Sequence, residues 1–325
     1  MASAAPVAAA RPWLARLPMS LFASVMGTAG TGLAWRRAVS SFGAPCWPGE
    51  AFMALAAALY ALLLALQLAR AVRWPSSHLA EFRDPRTAPF VPAFSVATVL
   101  MAAAAAPYSL PLARALWPIA AGLHALFAFL LLRRWFAQSR PLTEAGPPWF
   151  IPIVGNLLMP VVGMPLGYET ASWALFGVGA LFWLILAPIM TFRLFFADPL
   201  PHHSAPSLFI LLAPPAVGSL AILALTGGSV SPITHSLFGF GTMVAALMLS
   251  LLPRLIDGHF SSAWWALTFP SAAYASLAVT YAGQILSVPL AVLGLAALAV
   301  VTLLVIMVAL RSLAALFAGD LVPRD

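Results

Sequence analysis

Residues 288–310 read VPLAVLGLAALAVVTLLVIMVAL, a run without one charged side chain. About 20 apolar residues cross the hydrocarbon core as a helix, whereas a barrel strand needs about ten of alternating polarity. The run is too long and too uniform for a barrel strand, so it reads as a membrane-crossing helix and decides the class of the chain. The composition agrees: 62% of the 325 residues are hydrophobic, 8% are charged, and the mean hydropathy is +0.98. Soluble domains are about half apolar and about a quarter charged. A water-soluble enzyme and a disordered chain are thereby excluded. The net charge of +7 and pI of 10.7 do not make a nucleic-acid binder, because the arginines lie between apolar runs and form no basic face.

Arg, Pro and Gly clusters divide the chain into ten apolar runs. Transmembrane helices are expected near 18–38, 49–70, 89–107, 111–133, 148–166, 170–193, 206–226, 231–252, 262–283 and 288–312. The first run ends on Trp35-Arg36-Arg37 rather than on a small-residue cleavage site, so it reads as a span and not as a secretory signal. All sixteen cations are Arg. Thirteen of them (11, 16, 70, 73, 83, 86, 133, 134, 140, 193, 254, 311 and 324) fall on the N-terminal side of the membrane. Only Arg36, Arg37 and Arg114 fall on the other. Positively charged loops stay inside. The expectation is a multi-pass protein of a bacterial inner membrane with a cytoplasmic N-terminal tail (1–17), a ten-helix domain (18–312) and a cytoplasmic C-terminal tail (313–325). The loops near 108–110 and 227–231 are then periplasmic.

Spans 3, 5, 7 and 9 begin near 89, 148, 206 and 262, a spacing of 56–59 residues. Each repeat is one helical hairpin, so the chain reads as five hairpins in series. Helix breakers concentrate in the odd spans: Pro92, Pro152 with Pro160, Pro214 with Pro215, and Pro270, with Gly27, Gly30 and Gly32 in span 1. Even spans are mostly plain Ala/Leu helices, Pro118 and Pro188 apart. A mid-span proline frees a backbone carbonyl, which is tolerated where protein or a water-lined cavity satisfies it. The fold class expected is all-α, with odd helices forming an inner pore ring and even helices an outer ring. Ordinary proline kinks in a bundle are the alternative. In the favoured reading Pro214 and Pro215 break span 7 within the membrane.

All nine acidic residues fall in loops, at span ends or in the tail. An intramembrane carboxylate marks proton relays and cation sites, and a path without one does not repel anions. Selectivity would rest on pore width, hydroxyls and backbone dipoles. Candidate lining residues are Thr28, Thr31, Ser95, Thr98, Asn156, Ser219, Thr268 and Ser271, with Pro214 and Pro215. Each hydroxyl or amide has an ordinary alternative in a hydrogen bond within or between helices. His124, inside span 4, reads as a packed histidine and His202-His203 as a solvated turn. Cys46 is the single cysteine, so neither an internal disulfide nor a cysteine metal site is available. No HExxH, GxSxG or Walker pattern occurs. The chain therefore reads as a non-enzyme without cofactor or metal.

Four segments carry a resemblance. They are Met26-Gly27-Thr28-Ala29-Gly30-Thr31-Gly32-Leu33-Ala34-Trp35-Arg36, Pro148-Trp149-Phe150-Ile151-Pro152-Ile153-Val154-Gly155-Asn156, Leu211-Leu212-Ala213-Pro214-Pro215-Ala216 and Ala263-Trp264-Trp265-Ala266-Leu267-Thr268-Phe269-Pro270. In order and spacing the chain resembles the tellurite-resistance/dicarboxylate transporter family, from about residue 18 to 312. That family holds bacterial TehA proteins, fungal malate and sulfite transporters and plant slow-type anion channels. The resemblance implies five hairpins around a pore, a homotrimer with one pore per subunit, and a pore plugged midway by a phenylalanine of the ninth helix. The matching residue here is Phe269. The long phosphorylated tails of the plant channels have no counterpart, so kinase gating is not implied.

The function expected is a channel or permease for small anions: a C4-dicarboxylate, an oxyanion of the sulfite or tellurite type, chloride or nitrate. Its partners are the anion, the lipid bilayer and two further copies of itself. A proton-coupled dicarboxylate or sulfite exporter is the rival within transport, disfavoured by the absent membrane carboxylate. A membrane scaffold without transport is the rival from another class. Anion flux into liposomes holding this protein alone separates the three.

Overall fold

The computed structural model describes residues 12–256 and 260–321. Arg11, Asp257, Arg324 and Asp325, which enter the charge counts, lie outside them. Among the described residues the chain is all helical, with no strand. Its α-helices are α1 (Phe22–Phe42), α2 (Trp47–Arg73), α3 (Pro75–Arg83), α4 (Ala93–Ala105), α5 (Leu110–Ala137), α6 (Ile151–Leu166), α7 (Glu169–Phe196), α8 (Ala213–Leu225), α9 (Pro232–Leu255), α10 (Thr268–Ile285) and α11 (Val288–Ala318). Ten fall on the apolar runs read from the sequence. The short α3 lies where the sequence reading has a loop, and α11 continues six residues past 312.

Among the described residues, eight helical segments are long and apolar enough to cross a membrane. The two runs outside that set, α1 and α10, are diluted by glycines, hydroxyls and, in α1, by Arg36 and Arg37. Both are buried along most of their length, and a helix shielded from lipid need not be apolar all round. The other segments divide sharply. Ala88–Ala105, Pro147–Leu166 and His202–Leu225 are 72%, 72% and 78% buried, while α2, α5, α7, α9 and α11 are 17–33% buried. Exposed side chains such as Leu62, Phe129, Leu184, Met243 and Leu303 all belong to these five. Hydrocarbon is as apolar as leucine, so such a surface is stable in a bilayer and not in water.

Contacts order the helices. α1 touches α4, α4 touches α6, α6 touches α8, α8 touches α10, and α10 returns to α1. α2, α5, α7, α9 and α11 pack respectively on α1, α4, α6, α8 and α10. The α1–α10 seam is tight: a Cβ built on Gly27 would stand 1.9 Å from Thr268 Oγ1.

Each buried member of the cycle is preceded by a 3₁₀ segment: Met19–Leu21 before α1, Ala88–Phe90 before α4, Pro147–Phe150 before α6, His202–Leu212 before α8 and Ser262–Leu267 before α10. The prolines mark the switch. Pro92 caps α4, Pro152 is second in α6, Pro214 and Pro215 are second and third in α8, and Pro270 is third in α10. First-turn N–H groups have no intrahelical acceptor, so proline there loses no hydrogen bond and presets φ. Span 7 thus changes from 3₁₀ to α at Ala213 instead of kinking within an α-helix. Among the cycle's helices, interior prolines are Pro160 and Pro165 of α6.

The two ends of the bundle are tied differently. At the arginine-rich end Arg70 meets Glu81 at 2.6 Å, Glu81 also accepts from the Met19 backbone N–H at 2.7 Å, and Gln67 donates to Leu17 O. This network gives α3 its place. At the other end all three arginines hold helices together. Arg36 pairs with Glu50 at 2.7 Å and donates to Ala103 O, Arg37 donates to the Thr280 hydroxyl, and Arg114 donates to Leu166 O.

Candidate functional site

A cavity of about 760 Å³ lies among α1, α4, α6, α8 and α10. It begins at the arginine-rich end, among residues 84–87 and 143–148 and beside Leu200, Pro201 and His203. Part of its lining recurs every third residue, beside others out of that phase such as Trp149, Gly155, Trp265 and Pro270. Ser20, Ala23 and Met26 line it from the first span; Thr87, Phe90, Ala93 and Val96 from the third; Pro148, Ile151 and Val154 from the fifth. The seventh gives Ser204, Ser207, Ile210 and Ala213, and the ninth Ala263, Ala266 and Phe269. In the 3₁₀ segment before α8, with three residues per turn, Ser204, Ser207 and Ile210 eclipse and form one straight inward ridge, whereas Ala23, Met26, Ala93, Val96, Ile151 and Val154 already lie in α-helix. All five spans enter from the same end, so higher numbers lie deeper. The lining stops at Met26, Val96, Leu158, Ala213 and Pro270, close to each 3₁₀-to-α switch.

Phe269 stands at that depth, second in α10 and 8% exposed. Its ring lies against α1 at Gly30, where an added Cβ would be 3.2 Å from Cδ2. The missing side chain of Gly30 makes the space the ring occupies.

Of the residues nominated from sequence, Phe269 alone borders this cavity. Thr28, Thr31, Thr268 and Ser271 donate to Ser24 O, Gly27 O, Trp265 O and Leu267 O within their own helical turns. Ser95 bonds Pro92 O and His124 Nδ1, and Thr98 bonds Phe94 O and the Tyr60 hydroxyl. Asn156 donates to Pro152 O and Ile153 O, and Ser219 reaches Thr234 O at 3.4 Å. Pro214 and Pro215 are buried in the first turn of α8. The physical reason is common to the hydroxyls other than Ser219: a short side chain in a helix finds its own i−3 or i−4 carbonyl first. The lining residues missed from sequence are apolar, chiefly Met26, Val96, Leu158 and Ile210. A period of three, rather than 3.6, read along the odd spans finds most of them.

Two of the three carboxylates that border the cavity are neutralised by arginines. Glu81 and Glu144 border it but are paired with Arg70 and Arg140, and Asp84 accepts from the Arg86 backbone N–H. Arg193 and Ser207 border it as well, each 2% exposed.

The sequence profile described as voltage-dependent anion channel (SLAC1) matches residues 16–313. The chain belongs to this family. As a member of the voltage-dependent anion channel family it is a membrane protein of a class of channels and transporters, not of enzymes. It is 27% identical over 338 residues to the S-type anion channel SLAH2 of Arabidopsis thaliana, covering 97% of this chain and 62% of the plant protein's length. It is 26% identical over 242 residues to an uncharacterized transporter of Methanocaldococcus jannaschii, covering 66% of this chain and 70% of the other. To the tellurite resistance protein TehA homolog of Haemophilus influenzae it is 24% identical over 273 residues, covering 83% of each.

Proposed function

We propose that this family member is an anion channel or permease of a bacterial inner membrane, with ten transmembrane helices in five hairpins. α1, α4, α6, α8 and α10 wall the pore and the other five long helices face lipid. The observation that carries the reading is one cavity lined by all five buried spans and stopped at the depth of Phe269. The closed cycle of contacts supports the same arrangement. Phe269 is the gate: its ring blocks by volume and dewetting, without a charge that would trap an ion. Rotating one ring moves less than shifting a helix does. Both termini are cytoplasmic, and the protein assembles as a homotrimer with one pore per subunit. Of the polar residues named from sequence, half-buried Ser271 lies just past Pro270 and lines the path once the ring turns aside. The others keep the wall rigid.

The test is electrophysiology on wild type and Phe269→Ala at matched membrane abundance. The variant is expected to pass anion current well above wild type and to keep anion-over-cation selectivity. Equal currents would make Phe269 a packing residue. Cation current through the variant would refute the account of selectivity. Flux that requires a pH gradient would transfer the reading to a proton-coupled carrier.

A further inference from the structure

Two arginines are buried almost equally and treated in opposite ways. Arg70 is 3% exposed and fully satisfied: it bonds Ala15 O, Ser77, Gln67 and Glu81. Arg193, 2% exposed, makes one hydrogen bond, from Nη1 to Asp198 O at 2.6 Å. Its buried Nε has no partner, and no carboxylate pairs with it among the described residues. The bond to Asp198 O ties the guanidinium to the chain just past the end of α7 and fixes it beside the cavity. A buried cation without a counter-charge is strongly destabilising unless something compensates it.

A second orphan borders the same cavity. The Ser207 hydroxyl is buried and unpartnered. It stands on the inward ridge of the 3₁₀ segment that leads to α8. The acidic residues that border the cavity do not pair with Arg193: Glu81 and Glu144 are held by other arginines, and Asp84 accepts from the Arg86 backbone N–H.

We propose that Arg193 and Ser207 form an oxyanion-binding site in the vestibule, where the permeating anion is held before it reaches Phe269. The Nε–Nη2 edge of a guanidinium takes two oxygens of a carboxylate, sulfite or nitrate side by side, and the hydroxyl donates to one of them. The site therefore prefers planar or pyramidal oxyanions over chloride, which offers one centre to a two-pronged donor. The proposal rests on the vestibule's being the anion entry; binding and conduction are measured separately so that each can fail alone.

Binding is read on the detergent-purified protein by the fluorescence of Trp149 and Trp265, both of which border the cavity, and by calorimetry, with malate, sulfite, nitrate and chloride as probes. Wild type is expected to bind the three oxyanions more tightly than chloride. Arg193→Gln should weaken oxyanion binding at least ~tenfold, and Ser207→Ala several-fold, as losing a hydrogen bond to a charged group does. Arg193→Lys should retain chloride and lose the oxyanion preference. Saturating malate should raise the melting temperature of wild type and not of Arg193→Gln. Without anion the Gln variant should melt no lower than wild type, because it removes an uncompensated charge; a fall would make Arg193 structural and overturn the proposal. So would oxyanion affinity unchanged in both Arg193→Gln and Ser207→Ala, or no binding in wild type. If binding follows the prediction while neither wild type nor Phe269→Ala conducts, the site stands and the channel reading falls. If Phe269→Ala conducts and binding ignores Arg193 and Ser207, the reverse holds.

Discussion

Gly27→Ala adds one carbon to the seam on which the proposed gate rests. That carbon would lie 1.9 Å from Thr268 Oγ1, 2.6 Å from Thr268 Cβ and 3.5 Å from Cγ2. Turning the threonine rotamer moves Oγ1 and Cγ2 but not Cβ. Relief to an ordinary contact of about 3.4 Å therefore needs α1 and α10 to part by about 0.8 Å. Overpacking of this kind costs about 1–3 kcal/mol, and a rigid Cβ–Cβ clash puts the expectation in the upper half of that range. Thr268→Ala in the Gly27→Ala background leaves the Cβ clash and should recover little. Thr268→Gly removes it and should recover most, less about 0.5–1 kcal/mol for the added backbone freedom. Reversible unfolding in mixed detergent–SDS micelles gives the four free energies of the cycle. Phe269 lies against Gly30 one turn along α1, so parting the helices should also raise basal anion leak in liposomes. Gly27→Ala within about 0.5 kcal/mol of wild type, or Thr268→Ala rescuing as fully as Thr268→Gly, would refute this account of the seam.

Three further outcomes are expected. Glu81→Gln strands Arg70, 3% exposed, without its carboxylate, while the amide oxygen still accepts from Met19 N–H; it should cost about 3–5 kcal/mol in the same unfolding assay, whereas replacing both partners by Met and Leu should cost far less. Burial, and next the Arg70 charge, hold His78 of α3 below the usual imidazole range; the folded state resists its protonation, so its share of stability is present above the unfolded-state value and is lost as pH falls through the folded one, a slope that His78→Gln should abolish. Reporter fusions should place both termini on one side of the membrane and residues 106–109 and 226–231 on the other; a C-terminus found outside would sink the orientation.

The apolar runs were legible because run length alone separates a spanning helix from anything soluble. Helix breakers also mark the five helices that are most buried. The 3₁₀ entries were not legible. A proline announces a switch in helix type and a kink alike, and packing between spans decides between them. The hydroxyls misled for a local reason: Thr28, Thr31 and Ser271 each had a carbonyl of their own turn within reach, a competition that residue type does not reveal. Arg193 looked like any arginine at a span end. Its burial is a tertiary property that no local pattern shows. Nor was α3 visible, because its place is fixed by Arg70, Glu81 and the backbone of Met19, which no local pattern connects.

The three-residue phase of the segment before α8 constrains how its length can change. In a 3₁₀ segment one residue turns the chain by about 120° and advances it about 2.0 Å. A single deletion ahead of Ser204 in His202–Leu212 would carry Ser204, Ser207 and Ile210 off the cavity wall and bring Ala205, Leu208 and Leu211 onto it. Only a change of three residues preserves the facing ridge, and it displaces everything beyond by about 6 Å. The segment before α8 thus behaves as a reading frame whose phase a change of length must keep.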